Sequence, residues 1–243
     1  MIIYDDKKNA IINMVVQFFM NYVVKYDLKS YFKIYISNNM VEDYALFDKK
    51  YTPKSKNYAG LTILPDNKKN VIQILISEKS CTPDVILHEL AHMYDFILFA
   101  SYFCKNKLYK VKCHKYYQTF IYWSEFHVKQ IDIPYLQMLF DIYKKLPREK
   151  WMLDFKNNIK SFYFPEYTNK YLGKKNPTIK EIMWYFGEVF VCNLYDENNT
   201  YNIPQEIIEK SEFDICLLYQ MFEYCWNFKT FTENIKIFYK YFQ

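Results

Sequence analysis

Thr82-Pro83-Asp84-Val85-Ile86-Leu87-His88-Glu89-Leu90-Ala91-His92-Met93-Tyr94-Asp95 is the stretch on which the reading of this chain turns. Thr82 offers a hydroxyl N-cap, Pro83 suits the first helical position, and Asp84 places an acid in the first turn. Apolar residues then continue to about Phe103, so a helix is predicted over 82–103. Histidines four apart on a helix stand one turn apart on the same face, where two imidazoles can converge on one metal ion. Glu89, one position after the first histidine, can reach a water on that metal from the side and act as a general base. The competing reading is a polar surface stripe on an ordinary helix, but Leu87, Leu90, Ala91, Met93 and Tyr94 leave little polar surface for one. Asp95, three after His92, is either an acceptor for the imidazole nitrogen that the metal does not use or a simple polar boundary residue.

A third ligand must come from elsewhere in the chain. Glu125 lies in Tyr122-Trp123-Ser124-Glu125-Phe126-His127, and a carboxylate among such neighbours is costly to bury unless paired or metal-bound. Glu188, in Trp184-Tyr185-Phe186-Gly187-Glu188-Val189-Phe190, presents the same oddity and is the fallback ligand. Its other reading is a buried acid paired with a lysine, arginine or tyrosine. Glu125 is favoured because a ligand helix usually follows soon after the motif helix. His127 is two positions from Glu125 and so points to a different face; it reads as a structural histidine sooner than as one that swings into the cleft to stabilise the oxyanion. His114 has no evident partner in the sequence.

Outward from the motif, residues 8–26 repeat apolar positions at helical spacing (Ile11, Ile12, Val15, Val16, Phe19, Val23). Strands are expected at 31–37, 60–64 and 71–77, with Pro65-Asp66-Asn67 as a turn and loop chemistry at 51–57. After the motif helix the strand signal fades. Helices are expected at 114–131, 134–146, 148–163, 178–195, 204–227 and 231–241, with 165–177 the most loop-like stretch. The expected class is α+β: a small sheet, an active-site helix, then helices. The expected division is a catalytic region at 1–131 and a helical region at 132–243 packed on it, forming one compact unit.

Composition narrows the function classes. With 51% hydrophobic and 24% charged residues over 243, the chain can bury a core and is not disordered. Its 26 Tyr and 21 Phe suggest an AT-rich coding sequence more than a special surface. The net charge of +5 reads as interspersed, with short basic groups at 49–50, 68–69 and 174–175. Neither nucleic acid nor membrane is therefore an expected partner. Six cysteines without Cys-x-x-Cys spacing fit free thiols in a reducing, cytoplasmic setting. Residues 1–20 make a poor signal peptide and are too short to span a membrane.

The strand pair, His88-Glu89-Leu90-Ala91-His92 and a glutamate on the following helix together resemble the gluzincin type of zinc peptidase. Among these, residues 58–130 are most similar to the small intracellular ImmA/IrrE-like enzymes. The resemblance implies a zincin-like fold, a Zn2+ cofactor held by His88, His92 and Glu125, Glu89 as catalytic base, and a protein or peptide substrate. A metzincin would want glycine where Asp95 stands and histidine where Leu98 stands. Residues 131–243 match no family. The alternative is a non-catalytic, zinc-containing helical protein that binds a partner; a fourth protein ligand, His114 or His127, would mark it.

Overall fold

The protein, described as a computed structural model, is α+β. The structure describes residues 2–3, 6–47, 58–66, 68, 70–143, 177–196, 200–209 and 213–243. It divides into two compact units, 1–117 and 118–243. The division falls where a long helix begins, and residue 131 lies inside that helix.

The first unit is built on a sheet in the order β1-β2-β4-β3: β1 (Ile2–Ile3), β2 (Phe32–Ser37), β3 (Gly60–Ile63) and β4 (Ile72–Ser77). β2 and β4 are parallel, pairing Phe32 with Ile72 through Ser37 with Ser77. β3 is antiparallel to β4, with Leu61 opposite Leu75 and Thr62 opposite Ile74. In β4, Ile72, Ile74, Leu75 and Ile76 are fully buried, the near-continuous apolar run of a strand covered on both faces. On one side Leu75 meets Met40 and Tyr44 of α2 (Met40–Tyr44) and Ile63. α3 (Pro83–Phe103) packs against β3, β4 and α1 (Asp6–Phe18).

Most expected elements recur with shifted ends. The first helix ends at Phe18 and continues as a π-helix, Phe19–Val24, stopped by Lys25 in the left-handed region (φ 61°). Pro83 opens α3 as expected, but the Thr82 side chain caps no amide; its hydroxyl lies 3.4 Å from the Ser80 carbonyl. β1 and α2 were not expected.

The second unit is helical: α4 (Tyr117–Ile142), α5 (Ile179–Tyr195), α6 (Gln205–Glu209), α7 (Ile215–Tyr224) and α8 (Phe228–Tyr241). α4 runs through Pro134 where two helices were expected. The expected 204–227 helix is instead the two helices α6 and α7. The expected helix at 148–163, the loop at 51–57 and all of the 165–177 stretch but Pro177 lie outside the described residues. Aromatic residues build this core. Trp123 stacks on Phe231 at 4.6 Å, Phe222 meets Phe238 edge-on at 4.9 Å, and the Trp123 indole donates to the Cys225 carbonyl at 2.7 Å. None of the six cysteines is in a disulfide. Among the described residues, no helix is long and apolar enough to cross a membrane.

Candidate metal centre

In the first unit, Leu87, Leu90, Ala91 and Met93 are fully buried and fix which way α3 faces. That fixes the opposite setting of the two motif histidines. Their rings stand 4.7 Å apart, centroid to centroid, at an interplanar angle of 86°, as one helical turn between i and i+4 requires. Glu89, between them in sequence, is buried at 6% exposure and turned toward β3. The Thr62 hydroxyl lies 2.7 Å from Glu89 Oε2, and also 3.0 Å from the Glu89 carbonyl. Gly60 lets the strand come this close: a Cβ there would stand 2.6 Å from Glu89 Cγ and 2.7 Å from Oε1. Sequence reasoning missed both Gly60 and Thr62. One signal was available, since Gly60 is one of only three glycines in the chain and opens the expected strand before the motif. Asp95 is fully buried on the same helix.

In the second unit, Glu125 sits on α4 at 4% exposure. Lys180, on the first turn of α5, reaches it from an exposed position, with Nζ 2.5 Å from Glu125 Oε1. One turn along α4 the buried Lys129 ammonium lies 3.2 Å from Asp132 Oδ2, 3.7 Å from Glu188 Oε1 and 4.2 Å from the centre of the Trp184 ring. Burial by itself would push this lysine down. The charges of Asp132 and Glu188, the Asp132 hydrogen bond and the charge of Glu125 outweigh it and hold Lys129 above the usual lysine value. Gly187 allows α5 to approach: a Cβ there would meet the Phe126 carbonyl oxygen at 2.5 Å and Lys129 Cβ at 2.7 Å. Glu188 is thus set against a lysine, which is the pairing its other reading supposed. His127 stacks on Trp123 at 4.5 Å. His114 lies among Phe99, Phe103 and Tyr116, and burial foremost, then Lys115, lowers its pKa.

His88, His92 and Glu125 form a group that could hold a metal ion, one ligand atom from each lying within 4.8 Å of the others. Neither His114, His127 nor Glu188 belongs to that group. Two imidazole nitrogens and a carboxylate oxygen are a donor set suited to zinc. No family of known proteins, no curated protein and no solved structure matches this chain.

Proposed function

We propose that this chain is a zinc-dependent metallopeptidase of the gluzincin type, with a zincin-like fold and a cytoplasmic place of work, akin to the ImmA/IrrE-like enzymes. The observation that carries the reading is the His88, His92 and Glu125 group, with Glu89 held between its two histidines in sequence. Three protein ligands leave the fourth position of a tetrahedral ion open, which a catalytic site needs and a closed structural site lacks. Zinc there would supply a Lewis acid and a water of lowered pKa.

The rest of the chemistry belongs to the chain's own residues. Glu89 takes the proton of the attacking water and returns it to the leaving amine. Thr62 occupies one oxygen of that carboxylate and Gly60 lies against the other, so the base is held in one orientation. Lys180 and Lys129 supply positive charge beside Glu125, and the Lys180 contact orients it. β3 is the last strand in the sheet order, so its outer backbone groups face away from β4, beside Glu89. An extended peptide could pair with that edge, which favours a peptide over other amides.

Metal content per chain, measured after purification without chelator, tests the ligand set. We expect about one zinc per chain, lost in Glu125→Ala and kept in Glu188→Ala. Loss only in Glu188→Ala would move the site to α5, and no zinc in any of them would sink the reading. Glu89→Gln should keep its zinc and lose cleavage of a mixed peptide library by about a thousandfold. Zinc in a wild type that cleaves nothing would favour the non-catalytic alternative.

A further inference from the structure

A feature independent of the metal reading lies just beyond the motif helix. Lys105, Lys107, Lys110, Lys112 and Lys115 fall in eleven residues, and no acidic residue occurs between Asp95 and Glu125. The chain has 32 Lys and Arg against 27 Asp and Glu. The excess over the whole chain is five, and this segment alone carries five lysines with no acidic residue among them. All five side chains are exposed.

The segment is rigidly built. Lys105 and Asn106 turn the chain with positive φ (52° and 60°), and the Cys104 and Asn106 amides both return to the Ala100 carbonyl. Asn70, ahead of β4, clamps the far side. Its side chain donates to the Asn106 carbonyl at 2.9 Å and accepts from the Leu108 amide at 2.6 Å. A 3-10 helix follows, Leu108–Cys113, in which residues three apart eclipse one another. Leu108 and Val111, both buried, form its inner row. Lys110 and Lys112 lie on its exposed side, and Lys107 and Lys115 flank it. Like charges this close in sequence repel. Lys105, Lys107 and Lys110 make no ion pair among the described residues. The described residues therefore leave these three lysines exposed, with charge that a partner outside the fold can use.

We propose that this basic face docks on anionic phospholipid headgroups at a membrane surface. Three features favour lipid over nucleic acid. Every cation is lysine, a point charge without the fork that arginine brings to nucleic-acid phosphates. The nearby rings of Phe103, His114 and Tyr116 pack on one another and offer no stacking platform. Tyr102, three residues before Lys105, is 63% exposed and is a residue type at home in the headgroup layer. Peripheral docking needs no spanning helix. Charge that reads as interspersed over the whole chain conceals this segment, which is why no membrane partner was expected from the sequence.

Co-sedimentation of the full chain with lipid vesicles at about 0.1 M salt tests the proposal. We expect binding to vesicles of phosphatidylcholine mixed with phosphatidylserine, none to phosphatidylcholine alone, and weakening as salt rises. Each lysine near an anionic surface contributes about fivefold in partitioning. The triple variant Lys105→Gln, Lys107→Gln, Lys110→Gln should therefore bind about a hundredfold less. The triple Lys229→Gln, Lys236→Gln, Lys240→Gln, on the exposed side of α8, should bind like the wild type. The proposal is overturned if the wild type ignores the mixed vesicles, if both triples lose binding equally, or if the wild type retains single-stranded RNA while ignoring vesicles.

Discussion

Glu89 in the first unit and Glu188 in the second are both glutamates within apolar helices, and both are almost fully buried. Their surroundings differ. Glu89 meets a neutral hydroxyl and a glycine on a neighbouring strand. Glu188 meets an ammonium that is itself buried and shared with Asp132. A hydroxyl orients a carboxylate without neutralising it, whereas a buried lysine pairs with it, so that removing either partner leaves a buried charge uncompensated. Burial of an acid is therefore no guide to its job; the charge of its partner is.

That contrast can be pressed hardest on the lysine side. Lys129→Met leaves Asp132 and Glu188 without their shared cation, and should lower unfolding stability by about 3–5 kcal/mol in denaturant titrations. A loss below about 1 kcal/mol would break the contrast by making the cluster an ordinary surface pair. On the hydroxyl side, Thr62→Val should cut turnover about tenfold with zinc content and melting temperature unchanged, and Thr62→Ser should restore it. A fall in melting temperature matching the loss of turnover would make Thr62 merely structural.

The smallest effect is a pH dependence beside Glu188. Burial foremost, then Glu188 and Asp196, push the Cys192 thiol from 9.0 up to about 12. The folded state then keeps a proton that the unfolded chain gives up, so stability is intact below about pH 9 and falls as pH climbs toward 12. Between pH 8 and 10 the loss from this group is about 1 kcal/mol. Cys192→Ala should flatten that part of the curve relative to the wild type.

What was legible in the sequence follows the strength of local pattern. α3 carries proline at its start and long apolar periodicity, and β2, β3 and β4 alternate or run apolar between turn residues, so their ends fall within a residue or two of expectation. β1 has two residues and α2 five, too few for any period to show. The helices expected at 114–131 and 134–146 are one, because α4 passes through Pro134: only one hydrogen bond is forfeited, while Leu136, Leu139 and Phe140 stay buried beyond it. Of the site, His88, His92 and Glu125 could be chosen because each is a polar residue in an apolar helix. Thr62 and Lys180 could not, and Gly60 only as one of three glycines, without its role. Their roles depend on which strand lies on α3 and how far α5 advances along α4, and neither is written in local spacing.

The parallel pairing of β2 with β4 has a kinetic consequence. β3 and β4 are joined by residues 64–71 alone and can zip as a hairpin, whereas β2 can reach β4 only after the chain from 38 to 71 has closed on itself. Closing the longer loop costs more entropy and delays non-local pairing. Thr62 and Gly60 ride on the hairpin that closes the shorter loop, so the strand that seats Glu89 can pair with β4 without waiting for β2.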